Sequence, residues 1–160
     1  TKQQLIDIFT GKTTNWKEVG GPDEDIVLVT RPTSSGTRAT FQKYALDGNE
    51  EASNASMETD DSGVLLQNVT DTKGAIGYVA LSYLVDNKDV DTIAIDGVEP
   101  TLENTYSGDY KVWTFEHMYT NGEPDEATKA FLDYIMGEKF GKKMESLGYG
   151  VSSKMEKTDH

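Results

Sequence analysis

An α/β fold is what this sequence predicts, and three observations carry the expectation. Two short apolar runs, residues 26–30 and 75–79, have the length and β-branched character of strands buried on both faces. Between them lie two segments whose apolar residues recur at helical spacing. The order strand, helix, helix, strand is what an α/β sheet requires.

The elements follow in order. Thr1 and Gln4 fit a capping box, and Leu5, Ile8 and Phe9 share one face of a first helix that Gly11 ends. Residues 13–25 form a polar connection anchored by Trp16 and broken at Gly20-Gly21-Pro22. The first strand follows, and Pro32 biases Arg31 toward extended geometry, so the strand is expected to run up to the arginine. A second helix is expected from Ser35 or Gly36 to about Leu46, with Phe41, Tyr44 and Ala45 on its apolar face and Asp47-Gly48-Asn49 as its stop. Residues 49–62 are acidic and polar and read as an exposed loop. Ser62 fits the N-cap of a short helix carrying Leu65, Leu66 and Val69, and residues 71–74 form the turn into the second strand.

Beyond Val79 the pattern is weaker. Residues 81–85 suit a helical turn, 92–95 a strand followed by a turn at Asp96-Gly97, and 111–119 a longer strand. Pro124-Asp125 opens a helix with Ala127, Ala130, Phe131, Tyr134 and Ile135 on one face, closed by Gly137. A last helix carries Phe140, Met144 and Leu147 and stops at Gly148. The tail from Ser152 is expected to fray. No internal repeat or low-complexity tract interrupts the chain.

At 160 residues the chain suits one domain with a real core. It has no initiator Met and no signal-peptide pattern at its start, so it reads as an excised piece whose cellular address lay elsewhere. Its longest aliphatic run, residues 26–29, is far too short to span a bilayer. The absence of cysteine excludes disulfides, thiolate metal sites and cysteine nucleophiles. A net charge of −13 argues against nucleic acid and anionic membrane as partners. That charge is uneven: residues 1–46 carry +1, 47–110 carry −12 and 111–160 carry −2. Arg31 and Arg38 lie in the stretch that is not negative.

Chemistry concentrates where the first strand meets the second helix. Arg31 offers a permanent charge and a planar fork of donors at the carboxyl end of a strand, where α/β sheets bind ligands. Ser35 and Thr37 add hydroxyls, Gly36 permits close backbone approach, and successive N–H groups at a helix start make an anion nest. The ordinary alternatives are a carboxylate-paired arginine and a plain helix cap, and spacing alone leaves both open. His117, within an expected strand, reads as structural, and His160 is terminal. Ser34 and Ser35 lack the Gly-x-Ser-x-Gly nucleophile elbow. The acidic run 86–91 lacks calcium-loop spacing, so no metal or cofactor is implied. Asn54-Ala55-Ser56 and Asn68-Val69-Thr70 match glycosylation sequons by pattern alone. Trp16 and Trp113 read as core or hinge anchors.

A set of motifs in fixed order adds to this. It runs Ile8-Phe9-Thr10-Gly11-Lys12 with Asn15-Trp16, Arg31 with Ser35-Gly36-Thr37-Arg38, and Ala75-Ile76-Gly77-Tyr78-Val79. It continues with Ile95-Asp96-Gly97-Val98 and Pro100-Thr101, then Phe131-Leu132-Asp133-Tyr134-Ile135 and Gly148-Tyr149. In this order the chain resembles, over nearly its whole length, the phosphate-binding proteins of bacterial phosphate ABC transporters, which have a type II periplasmic-binding-protein fold.

The resemblance implies a three-layer αβα lobe with a central mixed sheet. It makes residues 1–160 a single domain, the second of two lobes, with about 111–160 including the return toward the missing first lobe. It implies a non-enzymatic protein that binds inorganic phosphate through Arg31, Ser35, Gly36 and Thr37, holding half of the site. The expected partners are the first lobe and an ABC transporter permease. The expected location is the extracellular face of the membrane or the periplasm, as part of a lipoprotein. Some relatives carry an Asp two residues after the arginine, where this chain has Thr33. Two competing readings keep the same cradle or scaffold: a phosphate-ester hydrolase or transferase, and a sensor or adhesion module without transport.

Overall fold

The computed structural model describes residues 1–53 and 57–157. Helix α1 spans Lys2–Phe9, and its capping box is complete: the Thr1 side chain accepts from Gln4 N–H, and the Gln4 side chain caps the other way. A 3-10 turn at Trp16–Val19 follows, and the Trp16 indole N–H donates to the Gly74 carbonyl at 3.0 Å. Strand β1 (Val27–Thr30), helix α2 (Gly36–Tyr44), strand β2 (Met57–Glu58), helix α3 (Ser62–Asp71) and strand β3 (Ala75–Gly77) then build the core. Helices α4 (Leu102–Tyr106), α5 (Glu126–Met136) and α6 (Glu138–Ser146) complete the chain.

The three strands pair in the order β2-β1-β3, all parallel. Their register sorts the side chains into layers, because alternate residues point to opposite faces. Leu28 lies opposite Ile76, and both join Leu5, Ile6, Ile8, Phe9, Phe41, Ala45 and Leu46 of the α1 and α2 side in one buried cluster. Val29 lies opposite Gly77, and there a Cβ on Gly77 would meet Leu65 and Val69 of α3 at 2.9 and 3.4 Å. Glycine is what lets α3 settle directly on the sheet. Helices thus cover both faces, and the α/β layering expected from the sequence is observed.

Several expectations are corrected. The sheet is parallel rather than mixed; antiparallel pairing among the described residues is confined to two isolated bridges, Asn15–Asp25 and Ile95–Val98. Strand β1 does run up to the arginine as expected, ending at Thr30. Its ladder ends with the Thr59 N–H bonded to the Thr30 carbonyl, and the Arg31 N–H leaves the sheet for the Tyr78 hydroxyl. The acidic segment 49–62 is not simply an exposed loop: it contains β2, and Glu51 within it is 7% exposed. Asp61, not Ser62, caps α3, its carboxylate accepting from Val64 N–H at 2.8 Å.

Residues 92–95 and 111–119 are not strands. Apolar and β-branched composition favours extension, but a ladder needs a second strand, and none pairs with them among the described residues. His117 is accordingly exposed, and Trp113 packs edge-on against Phe115. Thr101, which caps α4 through its hydroxyl, marks a helix that apolar periodicity did not reveal in five residues. The apolar stripe of α5 is present, yet Phe131 and Tyr134 are more than half exposed, because α5 packs mainly on α6. The tail does not fray from Ser152: Glu156 N–H bonds the Tyr106 carbonyl at 2.9 Å, and Lys154 pairs with Glu145. The Asn54 sequon and His160 lie outside the described residues.

Candidate functional site

The end of β1 delivers Arg31 into the protein rather than onto its surface. The residue is 3% exposed. Its guanidinium donates to the Asp60 carbonyl at 3.0 Å through Nη1 and to the Ser62 hydroxyl at 2.6 Å through Nη2. The third edge, Nε, is buried with no hydrogen-bond partner. Among the described residues no carboxylate pairs with Arg31. A buried guanidinium without a counter-ion is costly, and its remaining donor needs an acceptor.

Helix α2 starts five residues on. Ser35 is its N-cap, buried, with its hydroxyl accepting from Arg38 N–H at 3.4 Å and its own N–H bonded to the Pro32 carbonyl. Gly36 is exposed, and nothing lies within 4 Å of the position a Cβ would take; its φ is not positive. Neither backbone geometry nor crowding therefore calls for glycine there. Thr37 is half-buried in the first turn. Helix α3 begins at Ser62, the residue that Arg31 grips, so the guanidinium meets the N-terminal end of α3 and follows directly on the chain from β1 into the N-terminal end of α2. Both helix ends are positive. Three sources of positive potential thus gather at the carboxyl edge of the sheet.

Arg38 behaves differently from Arg31. Its Nη1 donates to the Arg31 carbonyl, lies 3.5 Å from Glu51 Oε2 and 4.0 Å from Glu58 Oε2. Glu51 is buried, its side chain 1% exposed, and neither carboxylate oxygen has a well-formed hydrogen bond among the described residues. Burial pushes its carboxyl above the usual carboxylate range, against the pull of the Tyr78 hydroxyl and Arg38, while Glu58 adds a further upward push. The Tyr78 hydroxyl is driven well above its ordinary range by burial and by Glu51, so it stays protonated. The Tyr78 ring stacks on Phe41 at 4.1 Å between centroids.

Of the four residues singled out from the sequence, Ser35, Gly36 and Thr37 form one continuous turn and Arg31 precedes it at the strand end. Asp60, Ser62, Arg38, Glu51 and Tyr78 were missed. Arg38 and Tyr78 lay inside quoted motifs, but Glu51 and Ser62 carried no signal that distinguishes a partner from an acidic loop residue and a cap. Among the described residues no group of three His, Asp or Glu side chains is placed to hold a metal ion, and no helix is long and apolar enough to cross a membrane.

A parallel sheet with helices on both faces, and with a buried cation and two helix starts at its carboxyl edge, defines an α/β domain of the periplasmic-binding-protein class. The family model for a PBP superfamily domain matches residues 1–139, and the chain belongs to that superfamily. Among curated proteins it is similar to the phosphate-binding protein PstS of Bacillus subtilis, at 51% identity over 142 residues, 89% of this chain and 46% of that protein. It is also similar to phosphate-binding protein PstS 2 of Streptococcus agalactiae, at 32% over 133 residues, 78% of this chain and 45% of that protein. The chain spans about half the length of these relatives.

Solved structures agree. One, described as a phosphate ABC transporter substrate-binding protein with bound phosphate from Clostridium perfringens, superposes with a TM-score of 0.83 at 37% identity, covering 92% of this chain and 60% of that one. An ABC-type phosphate transport receptor from Vibrio cholerae gives 0.71 at 27% identity, covering 93% and 62%.

Proposed function

We propose that this chain is the second lobe of a solute-binding protein that captures inorganic phosphate for an ABC transporter permease, on the extracellular face of the membrane or in the periplasm. The observation that carries the reading is the buried Arg31 guanidinium with an unpartnered Nε and no carboxylate beside it among the described residues. A bound oxyanion supplies both the missing charge and the missing acceptor. Arg31 would donate to its oxygens, the Gly36 and Thr37 N–H groups would point at it from the start of α2, and the Ser35 and Thr37 hydroxyls would complete this lobe's share. The names of the relatives and neighbours support phosphate as the anion.

The chain's span of about half the B. subtilis relative supports a missing first lobe. Residues 1–160 are then one lobe, and the exposed face of α5 belongs to the return toward the first. Binding stands ahead of phosphate-ester chemistry because the Ser35 hydroxyl serves as a cap and His117, a candidate base, is exposed on an irregular segment. The named relatives are binding proteins.

Calorimetry of the full-length gene product tests the reading. Inorganic phosphate should bind at one site per molecule, and Arg31→Ala should weaken it at least about 30-fold, as loss of a buried charged partner does. No heat of binding, or an unchanged affinity in the variant, would overturn it.

A further inference from the structure

We infer that Glu51 is a positioning residue for the Arg31 anion site, holding both backbone polar groups of Arg31 through Arg38 and Tyr78; this rests on the phosphate reading above. The geometry converges from two sides. The Arg31 N–H donates to the Tyr78 hydroxyl at 3.3 Å, and the Arg31 carbonyl accepts from Arg38 Nη1. Arg38 Nη1 lies 3.5 Å from the buried Glu51 Oε2. Burial and the neighbouring Glu51 together hold the Tyr78 hydroxyl in its protonated form.

The trio is itself rigidly seated. Tyr78 is stacked on Phe41 and lies near Phe9. The Glu51 segment is pinned where Ala52 N–H bonds the Phe9 carbonyl at 2.8 Å. Nothing in the packing calls for a carboxylate at this position. With its side chain 1% exposed and without a well-formed hydrogen bond, it costs stability that an apolar residue of the same volume would not. What it does accomplish is electrostatic. It holds Arg38 against the Arg31 carbonyl, so that the second arginine serves as a brace and leaves the anion to the first. Residues that orient a ligand-binding group in this way matter nearly as much as the group itself.

The charge on Glu51 also makes the brace sensitive to acid. The charged and titratable groups facing it are Arg38 of α2, Glu58 of β2 and Tyr78 beyond β3. Tyr78 stays neutral, so acidification acts on the brace by discharging Glu51 and makes the wild type resemble Glu51→Gln. The titration of phosphate itself is common to both proteins and cancels from the ratio of their affinities.

The test is calorimetry with inorganic phosphate on the full-length gene product, alongside apo melting curves that confirm each variant is folded. Glu51→Gln and Tyr78→Phe should each weaken binding about ten-fold at neutral pH. The Glu51→Gln to wild-type ratio should shrink toward one as pH falls. Where Glu51→Gln does not fold, Tyr78→Phe decides. If Arg31→Ala abolishes binding while both brace variants that fold keep wild-type affinity, the role of Glu51 is overturned. A ratio that stays constant with pH overturns it as well, since packing alone would give that. If Arg31→Ala binds normally, the phosphate reading itself has failed.

Discussion

The Arg31 guanidinium donates to the Ser62 hydroxyl at 2.6 Å, tying the end of β1 to the first residue of α3. The contact spans 31 positions of sequence and holds a cation at a helix N-terminus, where the helix dipole opposes it. An arrangement unfavourable to the empty protein becomes favourable once an anion lies between the two positive groups.

Ser62→Ala should weaken phosphate binding about three- to ten-fold, the net worth of one ordinary hydrogen bond, because the Asp60 carbonyl still holds the other arm. Calorimetry on the full-length product measures this. An unchanged affinity would mean that the grip is incidental.

Gly36→Ala separates fold from site. Its surroundings are open and its backbone needs no glycine, so the apo melting temperature should stay the same or rise slightly. Phosphate affinity should nonetheless fall about ten-fold, because the added methyl occupies the approach to the α2 N–H groups. A variant with native affinity would remove Gly36 from the site.

Gly74→Ala tests the fold independently. Gly74 has φ +75°, a Cβ there would drive into the Asp25 carbonyl, and its own carbonyl receives the Trp16 indole. Left-handed strain and the clash together should cost about 2–4 kcal/mol, read from denaturant melts. A loss below about 1 kcal/mol would contradict the geometry of this turn.

Stability against pH follows from Glu51. Its carboxyl lies above its ordinary value of 4.5 because of burial, so just above that pH the fold binds more proton than the unfolded chain. Stability is then lost as pH rises through that window. Relative to Glu51→Gln, the apo wild type should be most stable below about pH 4.5 and should lose ground as pH rises. Melting both proteins across that range checks the sign; the opposite trend would mean that Arg38 more than compensates burial.

Strands β1 and β3 and the helices α1, α2, α3, α5 and α6 were legible because each carries a local signal, whereas the two-residue β2 carries none. Thr1 and Gln4 close a capping box, Ser35 caps α2, and Leu28 and Ile76 sit within short β-branched runs. Residues 111–119 misled because composition registers a preference for extension, whereas a strand exists only beside another strand. Arg31, Ser35, Gly36 and Thr37 were legible because they are neighbours in sequence. Ser62 and Tyr78 reach Arg31 across 31 and 47 positions, and Glu51 meets Arg38 from outside its helix; β1 pairing in parallel with β2 and β3 brings these segments together. A buried Glu51 looks the same in sequence as its exposed neighbour Glu50.

A crystal structure of the full-length gene product grown with phosphate is the most direct measurement. A phosphate oxygen is expected about 3 Å from the Arg31 guanidinium, with others accepting from the N–H groups of Gly36 and Thr37. Phosphate bound elsewhere, with the Arg31 guanidinium buried and untouched by it, would contradict the account.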